Sequence, residues 1–208
     1  MIRIKICGIT NEADAEAAWR AGADALGFVH YPKSPRHVTA ERIGAIVATL
    51  PPFVATAAVL VNPTREVIAE LERHAAITTW QLHGEETAAF DGELRPRRVV
   101  KALRLPWTGG AEALAAYRAE AFLLDTPTAE YGGSGKTFDW DLVAAFRALT
   151  PKPLILSGGL TVDNVAEAVA RVQPYGVDVS SGVERAPGLK DHQKIRDFIA
   201  QCRLCRPT

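Results

Sequence analysis

Short apolar, often β-branched runs alternate along the chain with longer Ala-rich stretches whose apolar positions recur every three or four residues, and the alternation continues from end to end. Period two marks strands and period three to four marks helices, so the pattern reads as a repeated strand-helix unit. Strand-like runs fall at residues 2–7, 24–30, 54–61, 77–82, 98–103, 121–125, 153–157 and 176–180, eight in all. Helix starts are marked by Thr10 before NEADAEAAWRAG, Thr39 before AERIGAIVATL, Pro63 and Thr64 before REVIAELERHA, and Thr161 before VDNVAEAVARV. Such residues satisfy the unpaired N–H groups of a first helical turn or fit its geometry. Gly22 supplies a stop for the first helix, and a last helix is expected over residues 189–203.

Eight units in 208 residues average about 26 residues each, which suits an α/β, single-domain (β/α)8 barrel over residues 1–208. A doubly wound open sheet competes, but it usually carries a Gly-rich dinucleotide fingerprint after its first strand. Here that position reads CGIT, with no GxGxxG near it. Parity then sorts each strand into two faces. Ile2, Ile4 and Ile6 oppose Arg3, Lys5 and Cys7; Trp80 and Leu82 oppose Gln81 and His83; Phe122 and Leu124 oppose Asp125; Val177 and Val179 oppose Asp178 and Ser180. The apolar sets must meet the helices, which leaves a polar lumen. Burying Lys5, Asp125 and Asp178 costs free energy unless they are paired or used, so an active centre is the economical reading. Cys7, His83, Asp125 and Ser180 close their strands at the carboxyl ends, the face on which such barrels carry their chemistry.

Composition narrows the function classes. At 22.4 kDa and 48% hydrophobic residues the chain holds one core, and 24 basic residues balance 24 acidic ones, so no nucleic acid partner is expected. The opening MIRIKICGIT lacks the continuous apolar stretch of a signal peptide and no run is long enough to span a membrane, so the expectation is a cytoplasmic protein without a membrane partner. Three cysteines form no disulfide framework. Cys202-x-x-Cys205 has no second Cys or His pair and reads as a helix-end coincidence, so no metal site is expected. Pro63 blocks glycosylation at Asn62.

Glycine-rich turns follow the last three strands: Gly132-Gly133-Ser134-Gly135, Gly158-Gly159 and Ser180-Ser181-Gly182. Bare backbone N–H groups after strands seven and eight form the usual anion site of such barrels, which implies a phosphorylated small-molecule substrate bound by Gly133, Ser134, Gly135, Gly158, Gly159, Ser180 and Ser181. Gly135-Lys136-Thr137 looks like the end of a nucleotide-binding loop, but Glu130 stands where that pattern needs its first glycine. Residues 126–137 read instead as a loop over the mouth that closes on substrate.

These residues resemble the phosphoribosylanthranilate isomerases, (β/α)8 enzymes of tryptophan biosynthesis. KICGIT at 5–10, GADALGFVHYPKSPRHV at 22–38, VLVN at 59–62, QLHG at 81–84, LLDT at 123–126, GGSGKTFDW at 132–140, LSGGL at 156–160 and DVSSGVE at 178–184 match its motifs in order. Ser134 and Ser157 stand where the family often has Thr and Ala. The resemblance implies an Amadori rearrangement of N-(5-phosphoribosyl)anthranilate to 1-(2-carboxyphenylamino)-1-deoxyribulose 5-phosphate, without metal or organic cofactor. It implies Asp125 as the acid that opens the sugar ring and Cys7 as the base that takes the C2 proton.

The chemistry of the two residues sets what each role demands. A thiol needs a nearby cation to act as thiolate, and Lys5 lies on the same strand face. Asp125 must hold a proton well above its reference range of about 3.9, which demands desolvation or a neighbouring negative charge. Arg36 is the candidate grip on the anthranilate carboxylate through its planar fork. His83 is a candidate to orient substrate or Cys7, beside the plain alternative of a structural histidine. Asp178 is a candidate contact to the substrate amino group, or a partner of a lumen lysine such as Lys101. Assembly is expected as monomer or homodimer. Another phosphosugar isomerase or synthase, and a silent phosphosugar-binding barrel, are the competing readings.

Overall fold

A computed structural model of the protein describes residues 1–125 and 140–204. Eight parallel strands close into a barrel in chain order: β1 (Arg3–Cys7), β2 (Ala25–Val29), β3 (Ala55–Leu60), β4 (Thr79–Leu82), β5 (Val99–Arg104), β6 (Ala121–Asp125), β7 (Leu154–Ser157) and β8 (Gly176–Val179). The barrel closes where β8 pairs with β1, placing Lys5 opposite Asp178. Around it run α1 (Glu12–Ala21), α2 (Ala40–Val47), α3 (Arg65–His74), α4 (Ala88–Glu93), α5 (Gly110–Ala116), α6 (Trp140–Arg147), α7 (Val165–Val172) and α8 (His192–Leu204). The expected strands all form, and the parity holds: Ile4, Ile6, Leu26, Phe28, Trp80, Leu82, Phe122 and Leu124 are buried against the helices. Each such side chain contributes roughly 1.5–3 kcal/mol of burial free energy. No described helix is long and apolar enough to cross a membrane.

Three helix starts differ from the sequence expectation. The cap of α1 is Asn11, whose Oδ1 accepts from Asp14 N–H at 2.8 Å; the Thr10 hydroxyl instead donates to the Gly188 carbonyl. Regular α7 begins after Asn164 rather than Thr161, whose N–H donates to Asn164 Oδ1 at 2.8 Å. The last helix starts at His192, because residues before it form a two-stranded antiparallel ribbon, β9 (Glu184–Ala186) with β10 (Leu189–Lys190). Lys190 is tied by its N–H to Asp14 Oδ2 and by Nζ to Glu184, and Asp191 then caps α8 through Gln193 and Lys194 N–H. Thr39, Thr64 and Gly22 cap as expected, Gly22 in the left-handed region at φ +101°.

The lumen is less uniformly polar than parity suggested. β2, β3 and β6 contribute Ala25, Gly27, Ala57, Val59 and Leu123 to the same face as Lys5, Gln81 and Asp178. Lys101 is not in the lumen at all. It shares register with Leu82 and Phe122 on the helix side, where its Nζ donates to the Gly84 carbonyl at 2.7 Å and Glu86 Oε2 at 2.8 Å. Glu86 also accepts from Asn62 and Gly84 N–H, so one buried ion pair ties together the loops after β3 and β4.

Candidate active site

A cavity of about 690 Å³ opens at the carboxyl ends of the strands. Its walls include Cys7 from β1, Arg36 beyond β2, His83 after β4, Arg104 from β5, Asp125 from β6, the Gly158–Gly159 turn, and Asp178, Ser180 and Ser181 from β8 and its loop. All the site residues expected from sequence that lie within the described residues therefore border one cavity. Gly133, Ser134, Gly135, Cys205 and the expected mouth loop at residues 126–137 lie outside the described residues. Cys202 is buried in α8. No group of His, Cys, Asp or Glu suited to a metal occurs among the described residues.

Cys7 is buried, and burial pushes its thiol above the ordinary value; Lys5 and Lys190 pull it back down. Lys5 Nζ donates to Asp178 Oδ1 at 3.0 Å. Burial acts against the Lys5 charge, but Asp178 and Cys7 outweigh it and hold the ammonium above the usual lysine value. Asp178 is thus the counter-ion of Lys5, and the lysine that sequence reasoning offered it, Lys101, is bound elsewhere. Gly27 makes this meeting possible. A Cβ there would lie 2.9 Å from both Cys7 Sγ and Lys5 Nζ, so thiol and ammonium share the space that any side chain would fill.

Across the mouth, His83 Nε2 approaches Asp125 Oδ2 at 3.4 Å, and the Gln81 amide lies 3.0 Å from His83 Nδ1. Between the Cys7 and Asp125 walls lies the glycine turn. Gly158 and Gly159 both take positive φ, +82° and +64°, a backbone that L side chains adopt only with strain. Gly182 lets the next loop pack beneath it, since a Cβ there would stand 1.9 Å from the Leu160 carbonyl oxygen. Two adjacent loops of bare backbone thus face one side of the cavity, the arrangement that suits an anion.

Arg36 donates through Nε and Nη2 to Glu184 Oε1 and Oε2 at 2.8 and 2.6 Å. Lys190 Nζ reaches the same carboxylate at 2.8 Å. Burial works to raise the Glu184 carboxyl, but the bonds from Arg36 and Lys190 outweigh it and hold it below the ordinary carboxylate range. The Lys190 ammonium is lowered by burial despite that partner. Sequence reasoning did not single out Gln81, Arg104, Glu184 or Lys190. Parity put Gln81 beside His83 and Glu184 ends the DVSSGVE motif, but nothing local marked Lys190 or its ribbon.

Residues 4–201 match the model of the N-(5'-phosphoribosyl)anthranilate (PRA) isomerase family. The chain belongs to this family. The N-(5'-phosphoribosyl)anthranilate isomerase of Pelobacter propionicus is 50% identical over 201 residues, which cover 96% of this chain and 94% of that one. Among solved structures, the phosphoribosyl anthranilate isomerase of Thermotoga maritima superposes with a TM-score of 0.87 at 44% identity, covering 99% of this chain and 100% of that one. A second structure, at 39% identity and TM-score 0.84, covers 99% and 100% of the two chains; it is a phosphoribosyl anthranilate isomerase in complex with reduced 1-(o-carboxyphenylamino)-1-deoxyribulose 5-phosphate. In a PRA isomerase barrel, the cavity just described sits at the end where (β/α)8 enzymes hold their substrates.

Proposed function

We propose that the protein isomerises N-(5-phosphoribosyl)anthranilate to 1-(2-carboxyphenylamino)-1-deoxyribulose 5-phosphate, a step of tryptophan biosynthesis, with Asp125 as general acid and Cys7 as general base. Its substrate is a phosphorylated small molecule, the class of ligand held by a solved relative. The observation that carries the reading is that Cys7 and Asp125 border one cavity, with the Gly158–Gly159 turn and the Ser180–Ser181 loop on the wall between them. With phosphate on those backbone amides, the ribose lies between thiol and carboxyl, and the anthranilate ring extends toward Arg36.

The chemistry needs one proton in and one proton out. Asp125 gives a proton to the furanose ring oxygen while the nitrogen lone pair forms the C=N bond and the C1–O bond breaks. The Cys7 thiolate then takes the C2 proton, and its electron pair moves to neutralise the iminium, leaving an enolamine. That enolamine gains a proton at C1 and loses its hydroxyl proton to become the ketone, so atoms and charge balance without a cofactor. The Lys5 ammonium stabilises the thiolate, and Asp178 keeps that ammonium in place. Arg36 grips the anthranilate carboxylate. The test follows loss of fluorescence of freshly prepared phosphoribosylanthranilate on addition of the purified protein. Saturable, catalytic consumption is expected; no consumption above the spontaneous rate overturns the assignment.

A further inference from the structure

The fork of Arg36 is held from behind. Its Nε and Nη2 donate to both oxygens of Glu184, whose side chain is only 5% exposed. Glu184 is itself pinned by Lys190 Nζ at 2.8 Å and by the Gly188 N–H at 3.3 Å, both from the β9–β10 ribbon. The Lys190 side chain is fully buried. At its other end the arginine is fixed by its own backbone N–H, which donates to Ser34 Oγ at 3.1 Å. Its stem crosses directly over the residue after the thiol, since a Cβ on Gly8 would lie 2.7 Å from Arg36 Cδ. The carboxylate of Glu184 thus holds one edge of the guanidinium, and Gly8 leaves room for the stem behind it.

A guanidinium offers a carboxylate two bidentate edges, the Nε–Nη2 side and the Nη1–Nη2 end. Glu184 occupies the first, and the second points away from it. We infer that Glu184 is a positioning residue for substrate recognition: by holding the Nε–Nη2 edge of Arg36 it turns the Nη1–Nη2 edge to the substrate, and so sets the preference for a ring that carries a carboxylate. This rests on the reading of Arg36 as the carboxylate grip.

Charge alone argues the opposite way, which makes the inference testable. Arg36 and Lys190 share one carboxylate, so Glu184→Gln makes the cluster more positive by one charge. If Arg36 acted only as a point of positive potential, the variant would bind an anionic ligand more tightly. If orientation matters, it binds more weakly although the site is more positive.

The probes are reduced 1-(o-carboxyphenylamino)-1-deoxyribulose 5-phosphate and the same compound without the ring carboxylate, titrated calorimetrically into the full chain. The wild type is expected to prefer the carboxylated probe. Glu184→Gln is expected to lose about tenfold in affinity for it and less than about twofold for the other, so that the two probes separate by at least about fivefold in Kd. Equal or tighter binding of the carboxylated probe by Glu184→Gln overturns the inference, as does an equal loss for both probes. Arg36→Gln, run in parallel, separates the two layers. If it abolishes the preference while Glu184→Gln keeps it, the Arg36 grip stands and only the role of Glu184 falls; if the wild type shows no preference, the grip itself falls and takes this inference with it. Should Glu184→Gln fail to fold, Glu184→Asp is titrated by the same criterion: a loss confined to the carboxylated probe supports the role, and any other pattern overturns it.

Discussion

His83 Nε2 stands 3.4 Å from Asp125 Oδ2, while the Gln81 amide nitrogen stands 3.0 Å from His83 Nδ1. The imidazole thus lies between the Gln81 amide and the Asp125 carboxyl, one ring nitrogen facing each. In the proposed reaction that contact makes His83 a positioning group for Asp125. His83→Asn is expected to lower kcat about tenfold, roughly 1.4 kcal/mol of barrier, with KM changed by less than about twofold. Steady-state kinetics decide it: a rise in KM at constant kcat would make His83 a ligand-binding group instead.

Cys7→Ala and Asp125→Asn should each cut kcat by about 10²–10⁴, the range for losing a positioned acid or base. Affinity for the reduced product analogue should stay within about threefold, because neither group is assigned to binding. Near-normal turnover in either variant would remove that residue from its role.

The acid-base assignment also carries a pH signature. Burial holds the Cys7 thiol above its ordinary value of 9.0, against the pull of Lys5 and Lys190. Only the deprotonated thiol acts as base or nucleophile, so the thiolate fraction of Cys7 should still be rising between pH 7 and pH 9. Alkylation of Cys7 by iodoacetamide, followed by mass spectrometry, should accelerate over the same interval. A thiol that reacts at a pH-independent rate from pH 6 upward, on the order of a typical activated cysteine, would contradict it.

Lys101→Met should destabilise the fold by about 3–5 kcal/mol, because it leaves the buried Glu86 carboxylate without its counter-ion. Both side chains of that pair are 2% exposed. Urea unfolding monitored by circular dichroism provides the measurement. A loss below about 1 kcal/mol would mean that the Asn62 and Gly84 N–H groups satisfy Glu86 by themselves.

Much of the architecture was legible before any coordinates. Strict alternation in RIKIC and TWQL assigned their faces correctly, and capping chemistry at Thr39, Thr64 and Gly22 located helix ends. Lys101 was misplaced because VVKALRL carries apolar residues at both parities, so alternation gives that strand no face. The ribbon before α8 was missed because its strands span only three and two residues, too few to show a period.

Periodicity and strand-end position determined the barrel and the face on which Cys7 and Asp125 end their strands, since each depends only on neighbours along the chain; their acid and base roles came from the resemblance to the phosphoribosylanthranilate isomerases. Which charges meet was left to the tertiary structure. Lys5 and Asp178 lie 173 residues apart, and Arg36 and Glu184 lie 148 apart. Such partners are chosen by ring closure and by the register of every intervening strand, and a local pattern records which way a side chain faces without recording what it faces.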